Sequence, residues 1–351
     1  MPGFTPQRLH EFTRSVVAAL GSRDPEPALV ADQLIRANLC GHDSHGIGML
    51  PLYVDAASTG GLRVNAEPET IIDSGSIVVL DGQHGFGQVM GHRAMKTGIE
   101  RVADHGVALI GLRNSFHIGR IGHWGEQAAA AGMVSLHFVN VAGHEPMVAP
   151  YGGASARFGT NPVCIAIPAA GQGEPLALLD MATSTIALGK TRVAKNKGEQ
   201  VPEGTLLDPA GRLTTDPNVM WDDGPSGALV AMGDHKGSGL ALMCEILGAA
   251  LLGGDTIDPR YERSGSVINS MLTILIDPAA VGDPAGLQRD THGFLDYVKQ
   301  SALREGFNEV LVPGEPEARS RHERAREVPI DDATVGELNA AAARVGVDLL
   351  R

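Results

Sequence analysis

SIVVLDGQHGFGQVMGHRAMKTGIERVADHGVALIGLRN, residues 76–114, is the stretch on which the fold turns. SIVVLD (76–81) is an apolar, β-branched run between glycines and reads as a buried strand. VMGHRAMKTGIERVADHG (89–106) has helical spacing and stops at Gly106. VALIGLRN (107–114) reads as a second strand, so the stretch forms a strand–helix–strand unit. Gly85, Gly87 and Gly91 spell GxGxxxG between the first strand and the helix. In a dinucleotide fold such glycines admit a pyrophosphate to a helix N-terminus, and Arg113 at the end of the next strand suits a 2′-phosphate. In a chain with 45 glycines they also read as a plain turn. Spacing alone leaves both readings open.

Outward from this unit the α/β character continues. WGEQAAAAG (124–132) reads as a helix, and VSLHFVN (134–140), VCIAIP (163–168) and LALLDMA (176–182) as strands. A helix over 238–252 and a strand MLTILID (271–277) follow. The first 60 residues are helical: Thr5-Pro6 is a cap and first-turn proline, and Leu9, Phe12, Val16, Val17 and Leu20 share a face. The C-terminus is helical again at 294–303 and 335–346. The charged, turn-rich segment 312–328 is expected to wrap the surface.

At 351 residues the chain suggests about two domains. With 28 Lys+Arg against 41 Asp+Glu the net charge is −13, which excludes a broad phosphate-neutralising surface and so nucleic acid as a partner. Cys40, Cys164 and Cys244 lie far apart without CxxC, which argues against a disulfide framework or thiolate zinc site and for a cytoplasmic location. No apolar signal core opens the sequence, and no run of about 18 apolar residues marks a membrane span.

Five loops are dense in chemistry-bearing side chains. GHDSHGIGMLPLY (41–53) ends a helix, and RNSFHIGRIGHW (113–124) follows a strand. His45 and His117 have ordinary pKa values suited to proton transfer near neutrality, although each also reads as a capping or core histidine. FGTNP (158–162) precedes a strand. LLDMATST (178–185) ends one with Asp180 and three hydroxyls. GDHKGSG (233–239) opens a helix with His235 and Lys236 where the dipole and free N–H groups favour an anion. STIALGKT (184–191) ends like a phosphate loop but begins with Ser184 where that motif needs glycine. The histidines show no metal-ligand spacing, so no metal is expected.

Taken together and in order, GHDSHG, NSFHIGRIG, FGTNP, LDMATS, GKTRVA with PEG following, HKGSGLAL and VPGEPE, between residues 41 and 317, resemble the type II malate/L-lactate dehydrogenase family. The resemblance implies an α+β protein. A non-Rossmann NAD(P)-binding α/β domain with a mixed sheet would span 71–284, and a helical domain would be built from both chain ends, 1–70 with 285–351. It turns the GxGxxxG loop into a turn. It further implies NAD or NADP as cofactor, a small 2-oxo or 2-hydroxy acid as substrate, and a homodimer.

Carried over motif by motif, His117 would be the acid/base, with His45 the rival proton carrier. Ser44, Arg120, Thr160 and Asn161 would meet the substrate. His45, Gly119, Arg120, Ile121, Asp180, Met181, Ala182, Thr183, Ser184, His235, Lys236, Asn269, Pro313, Gly314 and Glu315 would line the dinucleotide. This sequence departs from the pattern at Met49, where many relatives carry an arginine that is a candidate carboxylate ligand; Arg120 is the expected substitute. The resemblance leaves two rivals: a reductase of a cyclic imino acid, and a dinucleotide-binding protein without turnover. The second has no need of two histidines for proton transfer.

Overall fold

The structure, a computed structural model, describes residues 2–171, 173–221, 227–263 and 265–351. In chain order its elements are β1 (Gly3–Phe4), α1 (Pro6–Ala19), α2 (Glu26–Leu39), α3 (Leu50–Thr59), β2 (Glu69–Ser74), β3 (Ile77–Asp81), α4 (Gly87–His105), β4 (Val107–Phe116), α5 (Gly122–Ala130), β5 (Val134–Ala142), β6 (Val163–Ile167) and β7 (Ala177–Met181). They continue with α6 (Leu188–Lys197), β8 (Leu206–Leu207), β9 (Leu213–Thr214), β10 (Ala228–Leu229), α7 (His235–Gly248), β11 (Ile268–Ile276), α8 (Pro278–Val281), α9 (Pro284–Lys299), α10 (Glu315–Arg324), β12 (Val328–Pro329) and α11 (Asp332–Arg344).

A seven-stranded mixed sheet in the order β2-β3-β4-β11-β5-β6-β7 forms the centre. Only β3 and β4 pair in parallel; the other neighbours are antiparallel. This α+β arrangement overturns the Rossmann reading of GxGxxxG, which needs a mainly parallel sheet. The glycines are where the chain crowds itself. A Cβ at Gly87 would lie 2.2 Å from the His117 carbonyl oxygen, and one at Gly91 would lie 2.4 Å from the Trp124 ring. They let α4 lie against the end of β4 and against α5.

Alternation along the strands sorts two cores. Val78, Leu80, Ala108, Ile110 and Leu112 join α4, α5 and the terminal helices in the main core. Val79, Leu109 and Leu272 face Leu247 and Leu252 on the opposite side. A third, smaller cluster gathers Val148, Leu206, Met220 and Leu229 around the three-stranded sheet β10-β8-β9.

The chain ends meet. β1 pairs with β12, and α11 packs on α3 with an Arg344–Asp55 ion pair. Two expectations at the C-terminal end are corrected. The 294–303 helix runs instead from Pro284 to Lys299, because Asp283 caps it by accepting from the Ala285 and Gly286 N–H groups. The segment 312–328 holds α10, with Glu315 and Glu317 in its first turn and Arg321, His322 and Arg324 in its last, matching the helix dipole.

Four histidines fold into surroundings that disfavour their charged form. Burial pushes His117 and His137 down to about 3, and His45 and His123 down to about 4. In the unfolded chain each titrates near 6.5. Below that value the unfolded state binds more protons, so stability is complete above about pH 6.5 and is lost as pH falls toward 4. The thermal midpoint is therefore expected to decline over that window. His137→Asn, at a site bonded only to Thr273 and Ser135, should flatten the decline; an identical slope would show that His137 contributes nothing to it.

Candidate active site

The loop after α2 is built by one buried amide. Asn38 donates from Nδ2 to Asp43 (2.7 Å) and accepts from the Ile47 N–H at Oδ1 (2.7 Å), folding residues 43–49 into two short 3-10 turns. Gly46 is required there, since a Cβ would lie 2.3 Å from the Asn38 side chain. From the other end of the chain, Arg324 bonds Asp43 and the Asn38 carbonyl, each at 2.7 Å, and His42 meets Glu317 at 3.1 Å.

The loop after β4 is held as firmly. Gln33 donates to the Ile118 carbonyl (2.8 Å), and Asn269 accepts the Ile118 N–H (3.0 Å). Gly119 takes φ +72° beneath the Gln33 side chain. His117 and His45 are thereby stacked, with ring centroids 5.6 Å apart and planes at 23°.

The two rings differ in anchorage. His117 is buried, and its Nδ1 lies 2.7 Å from the hydroxyl of the fully buried Tyr53, to which Gln88 donates at 2.7 Å. His45 is half-buried, and its Nδ1 lies 3.0 Å from the exposed Ser44 hydroxyl. Desolvation depresses both, reinforced by His45 and His144 for His117 and by His42 and Arg120 for His45. Both rings are neutral at pH 7. Tyr53 and Gln88 carried no signal of their own, since a tyrosine on an apolar helical face reads as core.

Arg120 is buried. Its Nη2 donates to Glu126 (2.5 Å), its Nε lies 3.7 Å from Asp180, and Nε and Nη1 have no hydrogen-bond partner. Burial opposes the charge, but Glu126 and Asp180 outweigh it, so the guanidinium titrates above its ordinary value. Arg36 (2.5 Å) and Arg321 (3.5 Å) share Glu126. Asp180 accepts from the Gly122 N–H at 3.1 Å; burial pushes its pKa up against the pull of Arg120. Met49 packs on the core, so no cation occupies that position.

The remaining motif residues divide. Asn161 is fully buried, and its amide is spent on Val141, Ala241 and Glu245. Asn269 is likewise used up by Ile118 and Asn140. The Thr160 carbonyl accepts from the N–H and hydroxyl of Thr183, while its own hydroxyl has no partner among the described residues. Ser184 bridges to Ala231, bringing the end of β7 to the start of α7.

At α7 the helix end is less open than expected. The N–H groups of residues 236–238 already bond Gly233, Met232 and Asp234. What remains exposed there is the side chains of His235, which touches Tyr151, and Lys236. Pro313 accepts from the Leu178 N–H (3.1 Å), so Pro313–Glu315 lies along β7. Ser44 faces Gly189 on α6, where a Cβ would come within 3.0 Å. Arg113, a candidate for a 2′-phosphate, is instead tied to Asp81 (2.8 Å) and the Gly253 carbonyl (3.1 Å).

Loops from both ends of the chain and from the sheet thus converge on a pair of neutral imidazoles beside a buried guanidinium with unsatisfied N–H groups. Such an arrangement can exchange a proton beside a polar ligand. The model of the malate/L-lactate dehydrogenase family matches residues 4–339, and the chain belongs to that family. Hydroxycarboxylate dehydrogenase B of Escherichia coli K12 is 47% identical over 347 residues, covering 98% of this chain and 94% of its own length. Malate dehydrogenase from Pyrococcus horikoshii OT3 superposes with TM-score 0.87 at 31% identity, covering 99% and 97% of the two chains. Δ1-Piperideine-2-carboxylate reductase from Pseudomonas syringae superposes with TM-score 0.83 at 28% identity, covering 97% and 100%. The protein is therefore an oxidoreductase acting on hydroxy acids, in a family whose dehydrogenases use nicotinamide cofactors.

Because a Gly87 side chain would strike the His117 and Phe116 carbonyls, Gly87→Ala should displace the imidazole. It is expected to destabilise the fold by about 1–3 kcal/mol. It should also lower turnover of the folded protein by about tenfold or more, since small misplacements at a reacting centre are expensive. Thermal melts and initial rates measure the two effects; unimpaired turnover would show that the imidazole position tolerates the shift.

Proposed function

We propose that the protein interconverts 2-hydroxy- and 2-oxo-carboxylates with NAD or NADP, His117 exchanging the hydroxyl proton. The anchored, buried His117 ring, stacked on His45, carries this reading. A base needs a free ring nitrogen, and burial leaves His117 neutral at pH 7. Its Nε2 has no partner among the described residues. In oxidation Nε2 takes the C2 hydroxyl proton; in reduction the imidazolium returns it to the carbonyl oxygen. The nicotinamide, when bound, accepts or supplies the hydride.

The residues present fit a dinucleotide. Gly122 and Gly189 leave the backbone bare where Asp180 and Ser44 approach, and Arg120 keeps two buried N–H directions unsatisfied. Gly119–Ile121, Asp180–Ser184 and Pro313–Glu315 would hold it, with His235 and the Lys236 ammonium toward its phosphates. Arg120, Ser44 and the free hydroxyl of Thr160 would orient the substrate. The helical unit of residues 1–70 with 285–351 forms one wall of this cleft, against residues 71–284.

The protein works in the cytoplasm as a homodimer in this reading. Three free, buried cysteines support the first. The second is supported by α9, none of whose residues is buried although Phe294 and Tyr297 stack on its surface. α7 also exposes Leu242, Met243 and Ile246. Replacing Phe294 and Tyr297 together by serine should shift the mass measured by light scattering from dimer to monomer; an unchanged mass would place the contact elsewhere.

The similarity to a reductase of a cyclic imino acid favours one second reading, hydride delivery to C=N. Cofactor absorbance during incubation with NADH or NADPH, a panel of 2-oxo acids and one cyclic imine tests both. Oxidation with an oxo acid is expected, and His117→Ala should cut its rate by about 10²-fold or more with cofactor still bound. Oxidation with the imine alone would move the protein to the second reading, and near-normal turnover of His117→Ala would transfer the proton to His45.

A further inference from the structure

His117 presents a tautomer problem that two residues assigned no role by the sequence motifs solve. Tyr53 is fully buried and Gln88 is 1% exposed. The Tyr53 hydroxyl lies 2.7 Å from His117 Nδ1 and 2.7 Å from the Gln88 side-chain amide. It has no other partner among the described residues. Burial pushes the phenol pKa up, so the hydroxyl keeps its proton and donates one hydrogen bond in one direction only.

Two polarities of this chain are possible. With Gln88 Nε2 donating to Tyr53, the phenol must donate to His117 Nδ1, and the neutral ring carries its proton on Nε2. That form has no lone pair for the substrate hydroxyl, and it becomes imidazolate if it gives its proton up. With the amide turned by half a rotation, Tyr53 donates to Gln88 Oε1 and accepts from His117 Nδ1–H. Nε2 is then a free base, and after taking a proton it is the acid. Oxidation and reduction both need this second polarity. Gln88 Oε1 is buried without a partner when the nitrogen faces Tyr53; the turn pairs that oxygen with the Tyr53 O–H and leaves the amide N–H groups without a partner among the described residues instead.

We propose that Tyr53 and Gln88 are positioning residues that hold the proton of resting His117 on Nδ1, through Nδ1–H to the Tyr53 oxygen and Tyr53 O–H to Gln88 Oε1. This rests on the reading of His117 as the acid/base. No carboxylate competes for the role. The groups acting on His117 from the packed elements are Tyr53 on α3, Gln88 on α4, His45 from the 41–46 loop and His144 from the loop after β5. Of the more distant groups, His42 and Arg120 bear on His45. The chain does with two neutral links what a carboxylate does where one faces a catalytic imidazole, but without raising the affinity of the ring for protons.

The test reads the tautomer directly. In the wild-type protein labelled with 15N-histidine, without substrate at pH 7, Nδ1 of His117 should show the signature of a protonated nitrogen and Nε2 that of a bare one. Tyr53→Phe should mix the two forms. Tyr53→Phe and Gln88→Met are each expected to lower kcat by about 10- to 10²-fold with KM little changed. Gln88→Glu, which once ionised can only accept from Tyr53, should retain the wild-type tautomer. It should also move the acid limb of the oxidation profile to higher pH by about a unit or more, because a nearby carboxylate favours the imidazolium. A proton on Nε2 in the resting protein, or an unmoved acid limb in Gln88→Glu, would overturn the proposal. Near-normal turnover of His117→Ala overturns the acid/base reading instead, and leaves the tautomer measurement standing as a separate result.

Discussion

The Glu126 carboxylate is the interaction on which the site depends. Lying 8% exposed in the middle of α5, it takes Arg36 from α2 on one oxygen and Arg120 on the other, both at 2.5 Å, with Arg321 of α10 at 3.5 Å. Burial pushes its pKa up, yet the arginines win and hold it below the ordinary value. Removing one partner of such a buried group typically costs about 3–5 kcal/mol, because a desolvated charge is left behind. Through this carboxylate the N-terminal helices, the loop after β4 and the C-terminal α10 share one anchor. Arg120 is three residues from His117, so the same anchor fixes the loop that carries both.

The site built on that anchor separates charge from proton transfer. Ionic groups sit beside it: Arg120 lies between the buried carboxylates of Glu126 and Asp180, and Glu126 is shared with Arg36 and Arg321. The imidazoles above stay neutral, and the phenol that anchors His117 carries no charge to raise its basicity. A neutral ring with a hydrogen-bonded Nδ1 serves as a base at once. A carboxylate in the position of Tyr53 would hold the same ring protonated to higher pH and weaken it as a base.

Much of this was legible in the sequence where burial leaves a periodic trace. β3, β4, β5 and β11 are continuous apolar runs, and their ends fall close to the observed ones. β2 left no such trace because all of its residues are exposed at the sheet edge. The first half of α9 was hidden for the same reason, and α10 was legible only in its charges. The GxGxxxG glycines did mark a close approach, but what approaches is the His117 carbonyl and the Trp124 ring. Sequence records the space a glycine leaves and not what fills it. Asn161 sits in the FGTNP motif yet spends its amide on Val141, Ala241 and Glu245, and an amide that holds a loop has the same composition as one that holds a ligand. Tyr53 and Gln88 lie 35 residues apart in sequence and meet only in the fold.

The topology explains why residues from nearly the whole chain are needed for one small site. β4 and β7 end on either side of Gly122 and Asp180, and that pair closes the floor. The loop 41–49 that supplies His45 is anchored in the core by Ile47 alone, with Met49 packed beside it. It is held by polar ties, to Asn38 at its start and to Glu317 and Arg324 from α10. Those ties reach it only because the β1–β12 pair and the α3–α11 contact return the C-terminus to the N-terminal helices. A loop stabilised in this way is positioned by tertiary structure alone. Its histidine can then stack on His117 although 72 positions separate the two in sequence.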